Sequence, residues 1–341
     1  MSRISEALEQ LAIGKDLSEE LATGIMNDLL EGSLTPAQIG GLLFGLRMKG
    51  ESSEEIAAFA KTLRVLSQQV SAPDGAVDTC GTGGDGTGTF NISTTAAFVV
   101  AGAGVPVAKH GNRFASGKCG SADVLEQLGV PINQTPQEST RCLHEVGMAF
   151  LFAPLYHPAI GKVATHRREL GIRTIFNLLG PLLNPASAPY QLLGVSSPKL
   201  LVKMAEALKL LDNKRALVVV GDDGLDEVTL TGRTHAILVD QGVLKPFELF
   251  PEDYGFKRCS LDSLRGGNPV ENARLTQGIL QGESGPKRDI VLLNAGIAIY
   301  VANRAETIQE GIELARYSLD SGQALGKLNA LRDSCHAVTV H

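Results

Sequence analysis

Residues 78–94 read DTCGTGGDGTGTFNIST. This stretch has five glycines within eight positions, followed directly by hydroxyl side chains and an apolar run. Glycine lets successive backbone N–H groups converge on one concave site, because no side chain stands in the way. The polar residues 91–94 then open an apolar helix, and free N–H groups at a helix start favour an anion. The stretch predicts an anion-binding loop between a strand and a helix; a tight turn with a capped helix is the alternative.

The loop differs from two familiar phosphate loops. A Walker A loop requires a Lys-Ser/Thr pair after its glycines, and none follows here. The five glycines are also more numerous than the three of the GxGxxG pattern in dinucleotide-binding folds. Asp85 also places a carboxylate where a dinucleotide loop rarely has one. Positive charge for a phosphate would therefore have to come from another part of the chain.

The first 70 residues contain only helix signals. Apolar residues recur at i, i+4 and i+8 from Leu21, and capping patterns stand at Thr35 and Ser52. Because no strand signal interrupts this segment, we predict a small helical unit.

From Gly75 onward, short apolar runs bounded by glycine alternate with helical patterns, which is typical of an α/β domain. Strands are predicted at 216–220, 236–239 and 289–293, and helices at 198–211 and 307–319. The predicted fold class is α/β: a small N-terminal all-helical domain plus a larger α/β domain with a central, mostly parallel sheet flanked by helices. The predicted domains are residues 1–70, joined by helices around 156–180, and residues 71–341. The Pro-rich stretch 180–189 is the predicted hinge or crossover.

The composition excludes several classes of protein. With 341 residues, a net charge of −6 and 20% charged residues, the chain is unlike a generic nucleic-acid or anionic-membrane binder. Its five cysteines are odd in number and lack CxxC spacing, so we expect a reducing cytoplasm and no disulfide framework. We expect no signal peptide and no membrane span, since the N-terminus lacks an apolar run and the apolar stretches are short.

A basic stretch follows the next predicted strand. Residues 109–113 read KHGNR, and Lys118 adds a further cation in an otherwise acidic protein. Open α/β sheets place ligands at the carboxyl ends of their strands, so this loop and the glycine loop could share one anion. Alone, it could equally be a solvated basic loop. Residues 120–123 then open another helix.

An acidic stretch follows the predicted strand 216–220. Residues 222–227 read DDGLDE, with four carboxylates in six positions. Magnesium prefers carboxylate oxygens together with substrate phosphates and water. With the glycine and basic loops, this stretch predicts a magnesium–polyphosphate substrate; a solvated acidic turn is the alternative.

A pair of arginines, Arg167 and Arg168, lies on a predicted helix. One guanidinium could bind a substrate carboxylate in bidentate fashion. Two adjacent arginines that face solvent are the other interpretation.

Together these segments resemble the anthranilate phosphoribosyltransferase family over nearly the whole chain. The resemblance rests on DTCGTGGDGTGTFNIST, KHGNRFASGKCGSADVLEQLG, RRELGIRTIFNLLGPLLNP and GLDEVTL. It implies transfer of the phosphoribosyl group of phosphoribosyl pyrophosphate to the amine of anthranilate, the second step from chorismate to tryptophan. It also implies an active site in the hinge cleft and a homodimer formed through the small domain.

The resemblance also implies the roles of individual residues. Substrate binding falls to Gly81, Gly84, Asp85, Thr89, Asn91, Ile92, Ser93, Thr94, Lys109, His110, Gly111, Asn112, Arg113, Phe114, Ala115, Ser116, Gly117, Ser121 and Arg167. Within that set, Gly81, Asn112 and Arg167 would touch anthranilate. Two Mg²⁺ ions are expected, with Ser93, Asp226 and Glu227 as ligands. No residue is expected to act as general acid or base, and Lys109 and Arg167 would act electrostatically.

Two alternatives remain open from the sequence. A pyrimidine nucleoside phosphorylase-like enzyme would share the fold and a glycine-rich phosphate loop, but the KHGNR stretch and the acidic pair favour the transferase. A non-catalytic relative that binds nucleic acid fits poorly with the net charge of −6.

Overall fold

The computed structural model describes residues 2–113 and 119–336. Four helices come first, and each begins where a hydroxyl side chain accepts a hydrogen bond from the first helical turn. Their bounds are α1 (Arg3–Ala12), α2 (Glu19–Glu31), α3 (Pro36–Lys49) and α4 (Ser53–Val65). Capping boxes form at Thr35 with Gln38 and at Ser52 with Glu55, as the sequence predicts.

The rest of the chain alternates strands and helices before it ends in four helices. The strands are β1 (Val77–Gly81), β2 (Val107–Gly111), β3 (Met148–Phe152), β4 (Tyr190–Gly194), β5 (Arg215–Gly221), β6 (Thr234–Asp240) and β7 (Val243–Leu249). The helices are α5 (Ile92–Gly102), α6 (Ser121–Gln127), α7 (Pro136–Glu145), α8 (Ala153–Tyr156), α9 (Ala164–Leu170), α10 (Phe176–Leu179), α11 (Pro198–Leu210), α12 (Pro269–Leu280), α13 (Pro286–Val301), α14 (Ile308–Asp320) and α15 (Gln323–His336). Short 3-10 turns occupy Pro158–Val163, Gly180–Leu182, Pro251–Tyr254 and Leu261–Leu264.

The seven strands form one sheet in the order β3-β2-β1-β4-β5-β6-β7. The first five strands of that order pair in parallel, and β6 and β7 add an antiparallel edge. The predicted α/β fold, a helical unit followed by a mostly parallel sheet flanked by helices, is confirmed.

Both faces of the sheet are buried. Along β5, Leu217 and Val219 belong to a hydrophobic cluster shared with α5 and α13, whereas Val218 and Val220 belong to a second cluster. Successive strand residues point to opposite faces, so a strand covered on both sides needs an unbroken apolar run. The second cluster also holds the buried faces of α1–α4, α11 and residues 175–183.

The predicted strand at 289–293 is wrong, because these residues lie inside helix α13. Residues 290–299 are all buried, and α13 packs between α5 and α14. A helix buried on every side loses its amphipathic period, so its apolar run looks like that of a buried strand.

In the two described ranges, no helix combines the length and the apolar character needed to cross a membrane.

Candidate active site

The carboxyl ends of β1, β2 and β5 surround a cleft of about 660 Å³. The strand order reverses direction between β1 and β4, since β2 and β3 extend to one side and β5 to the other. A crevice at such a reversal is where open α/β sheets bind ligands.

Most of the predicted site residues line this cleft. They are Gly81, Gly84, Asp85, Thr89, Asn91, Ile92, Ser93, Thr94, Lys109, His110, Gly111, Asn112, Arg113, Ser121, Asp226 and Glu227. Phe114, Ala115, Ser116 and Gly117 lie outside the described residues.

The shape of the glycine loop depends on a left-handed glycine and on the close approach of a carboxylate. Gly84 has a φ of +73°, a left-handed conformation that favours glycine. Gly81 lies against the Asp226 carboxylate, so a Cβ at position 81 would collide with it. The backbone N–H of Gly83 donates to Asp226 Oδ2 at 2.8 Å. The loop after β1 is thus fixed by a side chain that comes from the loop after β5.

The start of α5 is held by the other member of the acidic pair. Asn91 is the N-cap residue but makes no capping bond with its side chain. Instead the backbone N–H of Ser93 donates to Glu227 Oε1 at 3.0 Å. The sequence predicts free N–H groups here, and the structure shows one of them already bound to a carboxylate.

Lys109 lies on strand β2 rather than in a loop, and its side chain is buried. Its Nζ donates to the Thr79 carbonyl at 2.5 Å and to Ser93 Oγ at 3.3 Å. Burial lowers the pKa of Lys109, while the charges of Asp78 and Glu227 oppose that change. Burial also raises the pKa of Asp78 to about 6, against the effect of Lys109. Lys109 is therefore the cation that balances the buried acids beneath the cleft.

The four carboxylates after β5 divide into two pairs with different surroundings. Asp222 contacts Arg233 and His235 at the surface, and Asp223 accepts from the hydroxyls of Thr229 and Thr231 within the loop. Asp226 and Glu227 face the cleft instead.

The cleft-facing pair carries unfavourable negative charge. Burial and the nearby Asp85 raise the pKa of Asp226, and burial and the nearby Asp226 raise the pKa of Glu227. A divalent cation would relieve this repulsion.

The donors present suit magnesium shared with a substrate. In residues 2–113 and 119–336, no three His, Cys, Asp or Glu side chains form a metal cluster by themselves. Mg²⁺ commonly uses one or two carboxylates and completes its shell with phosphate oxygens and water. The oxygens of Asp226, Glu227 and Ser93 fit that arrangement.

His110, which lines the cleft, packs against His157, and both rings are uncharged at neutral pH. The rings of His110 and His157 meet edge to face with centroids 5.3 Å apart. Burial, and then the proximity of His157, lower the pKa of His110 to about 3. His157 Nε2 lies 2.7 Å from the Leu183 carbonyl and donates to it in the neutral ring. His110 is thus a neutral group that cannot supply a proton at pH 7.

The two arginines predicted to bind substrate have other partners in the structure. Arg113 donates to Asp123 and Glu126 and lies 5.8 Å from the centroid of Phe152. Arg167 packs over Phe176 at 4.9 Å and is not among the described residues that line the cleft.

Arg173, which sequence reasoning missed, does line the cleft, together with Asn177. Its Nη2 donates to the Thr82 carbonyl at 3.3 Å, and its guanidinium lies against Gly84. The only sequence signal was its place six residues after Arg167 in the same segment.

A second missed group approaches from the start of α12. Asn272 is buried; its Nδ2 donates to Asn91 Oδ1 at 2.9 Å, and its Oδ1 accepts from the N–H of Gly267 at 2.7 Å. Nearby, the N–H of Gly266 donates to the Gly88 carbonyl. The contacts of Asn272 with Asn91 and of Gly266 with Gly88 join residues about 180 positions apart, and no local pattern indicates them.

Residues 5–66 match the helical bundle domain of the glycosyl transferase family, and residues 73–325 match the a/b domain of the same family.

Individual relatives are similar over almost their whole length. An anthranilate phosphoribosyltransferase of Desulfitobacterium hafniense strain Y51 is 66% identical over 331 residues, which cover 97% of this chain and 98% of that protein. One from Moorella thermoacetica is 50% identical over 325 residues, covering 95% and 96%.

Solved structures of anthranilate phosphoribosyltransferases are similar to this chain over nearly their whole length. The crystal structure of anthranilate phosphoribosyltransferase from Thermus thermophilus superposes with a TM-score of 0.92 at 44% identity, covering 97% of this chain and 99% of that one. The enzyme from Saccharomyces cerevisiae in complex with PRPP and Mg superposes with a TM-score of 0.89 at 30% identity, covering 98% of each chain.

Proposed function

The chain belongs to the anthranilate phosphoribosyltransferase family, and we propose how its own residues perform the family's reaction. The protein is a pentosyltransferase that moves the phosphoribosyl group of phosphoribosyl pyrophosphate to the amine of anthranilate and releases pyrophosphate. One observation carries the assignment of this reaction to the cleft: the glycine loop, Lys109 and the pair Asp226 and Glu227 meet at the ends of three strands.

In our proposal, phosphoribosyl pyrophosphate lies across the glycine loop and the start of α5. The amides of the loop and the hydroxyls of Ser93 and Thr94 bind its phosphate oxygens, because α5 begins there with the positive end of its dipole facing the cleft. Asp85 accepts from Thr87 in the structure and could accept from a ribose hydroxyl or a metal-bound water.

Two Mg²⁺ ions are proposed, with ligands from Ser93, Asp226 and Glu227. When bound there, magnesium supplies the positive charge that neutralises the leaving pyrophosphate.

The bond changes need little proton chemistry from the protein. The bond from ribose C1 to the pyrophosphate oxygen breaks, the bond from C1 to the anthranilate nitrogen forms, and the amine loses one proton, which passes to the leaving pyrophosphate or to solvent water. That amine is already a neutral nucleophile at pH 7, so the site acts chiefly by positioning and electrostatics. Because burial lowers the pKa of His110 to about 3, we assign its ring no role as a charged acid.

For anthranilate we propose contacts with Gly81 and Asn112, which line the cleft, and with Arg167 near the carboxylate. Arg167 would have to leave the ring of Phe176 to reach the cleft. Closure of the helical unit (residues 1–70 with helices around 156–180) over the rest of residues 71–341 would bring these groups together and exclude water. Arg64, whose Nε donates to the Leu182 carbonyl at 2.6 Å, ties α4 to the proposed hinge.

The reaction can be tested by the fluorescence of anthranilate. Emission should fall when phosphoribosyl pyrophosphate and Mg²⁺ are both supplied, and stay constant when either is omitted. Phosphorolysis of a pyrimidine nucleoside by the same preparation would favour the phosphorylase, and nucleic-acid binding without turnover would favour the non-catalytic relative.

The four described cysteines at 80, 119, 142 and 259 are free thiols, which supports a proposed cytoplasmic location.

A homodimer through the helical unit is also proposed. Phe44 and Met48 lie one turn apart on α3 and are 51% and 69% exposed. Neighbouring apolar side chains exposed on a helix face often mark an interface between proteins.

The double substitution Phe44→Lys and Met48→Lys should convert the proposed dimer to a monomer, because two charges would be buried at the interface. Light scattering after size-exclusion chromatography measures the mass directly. Val202→Lys on α11, where Val202 is 50% exposed, is the control and should stay dimeric. A wild-type monomer, or a dimer that survives the double substitution, would contradict the proposal.

A further inference from the structure

The positively charged side chains around the cleft differ in how their charges are used. Lys109 is buried and donates to Thr79 and Ser93, and the charges of Asp78 and Glu227 act on it. The Arg113 guanidinium is bound by two carboxylates of α6. Within the described ranges, Arg173 has no carboxylate within ion-pair distance, and the partner of its guanidinium is a neutral carbonyl. Among the described cations that line the cleft, Arg173 is therefore the one most available to a bound anion.

The position of Arg173 is set by the segment between α9 and α10. Helix α9 ends at Leu170, and the next residue, Gly171, is left-handed with a φ of +63°. Helix α10 begins three residues after Arg173, and the N–H of Thr174 donates to Asn177 Oδ1 at 2.9 Å. This short, braced segment directs the Arg173 side chain across the cleft to the glycine loop.

On the glycine loop, the guanidinium takes the space that a side chain at position 84 would fill. A Cβ built on Gly84 would collide with Arg173, and Arg173 Nη2 donates to the carbonyl of Thr82. A guanidinium has five N–H donors, so most of them remain for another acceptor. They lie beside the loop whose backbone amides favour an anion.

We propose that Arg173 is a further substrate-binding residue, which binds the pyrophosphate oxygens of phosphoribosyl pyrophosphate against the glycine loop. The inference rests on the proposed function, since it assigns one more contact to the same substrate. It favours pyrophosphate over the anthranilate carboxylate because Arg173 touches the loop itself, at Thr82 and Gly84. A planar guanidinium pairs with two phosphate oxygens at once, so it would also fix the orientation of the leaving group.

The test compares Arg173→Gln and Arg173→Lys with Arg168→Gln, an exposed arginine of α9 as the matched control. Isothermal titration measures binding of magnesium pyrophosphate, and steady-state rates give kcat and the KM of each substrate. Arg173→Gln should weaken magnesium pyrophosphate binding and raise the KM for phosphoribosyl pyrophosphate by about 10- to 100-fold. The KM for anthranilate should change by less than about 3-fold. Arg173→Lys should bind magnesium pyrophosphate better than Arg173→Gln but less well than the wild type, because lysine keeps the positive charge but lacks the planar guanidinium that pairs with two oxygens.

Three results would overturn the proposal. Pyrophosphate affinity within about 2-fold of wild type in both Arg173 variants would make the contact with the loop purely structural. A rise confined to the KM for anthranilate would show that Arg173 binds the carboxylate of anthranilate instead of pyrophosphate. An equal loss in Arg168→Gln would point to general electrostatics. Should Arg173→Gln fail to fold, Arg173→Lys decides by the same titration. If the wild type does not consume anthranilate, the proposed function fails, whereas the pyrophosphate titration still tests Arg173.

Discussion

Asp226→Asn and Glu227→Gln are each expected to lower the turnover rate by about 100-fold, and the double variant by more. Both substitutions remove a negative charge but keep the shape of the side chain. The amide oxygens can still accept from the N–H groups of Gly83 and Ser93, to which the carboxylates are bound in the structure. The loss would therefore come from weaker magnesium binding at the leaving group, not from a displaced loop.

This prediction is checked by initial rates measured across a magnesium titration. The variants should need more Mg²⁺ to reach half of their maximal rate. Asp222→Asn is the control, because Asp222 belongs to the same loop but contacts Arg233 and His235 at the surface. A magnesium dependence that matches the wild type in both cleft variants would show that these carboxylates do not hold the metal.

Much of the candidate site can be predicted from the sequence because each part lies at or just after the end of a strand. The glycine loop follows β1 and the acidic pair follows β5, while Lys109 lies near the end of β2. Parallel strands end at the same edge of a sheet, so local patterns far apart in sequence meet there. The division of the acidic stretch into a surface pair and a cleft pair could not be predicted, since all four residues look alike until the turn after β5 directs them.

The missed residues have a common cause. Arg173 and Asn272 reach the glycine loop through contacts that span about 90 and 180 positions. Their local sequence indicates only a helix end and a capping box at Asn268. The error at 289–293 has a different origin, because α13 is apolar on all sides and gives no period to read. Local sequence patterns thus predict where many helices and strands begin and end. They do not predict which helix is buried on every side or which residues meet through long-range contacts.

Lys109→Met is expected to lower turnover about as much as Asp226→Asn or Glu227→Gln does. It should also lower the stability of the fold by an amount that depends on pH. The ammonium of Lys109 is the positive charge that opposes the buried Asp78 and Glu227, and it donates to Ser93 beside the proposed metal site. Removing one member of a buried charge pair costs about 3–5 kcal/mol, because the other charge is left without compensation. Turnover should also fall by about 100-fold or more, since the leaving pyrophosphate loses a fixed positive charge.

The pH dependence follows from two pKa changes whose effects add. With Lys109 present, the pKa of Asp78 is already raised to about 6, and it should rise further in the variant. The folded variant then keeps a proton that the unfolded chain has lost, so its free energy of unfolding falls as the pH rises from 5 to 8. In the wild type the pKa of Lys109 is lowered, which makes the folded state more stable as the pH increases towards 10.5. The difference in stability between wild type and variant should therefore widen with pH.

Thermal or urea unfolding at pH 5, 6.5 and 8 in magnesium-free buffer measures this difference. Lys199→Met is the matched control, because Lys199 is exposed at the start of α11 and its loss should change stability by less than about 0.5 kcal/mol at every pH. A Lys109→Met variant whose stability deficit stays constant from pH 5 to pH 8 would show that Lys109 does not balance Asp78. A deficit that widens with pH, together with the loss of turnover, would show that one buried ammonium serves both the fold beneath the cleft and the chemistry within it.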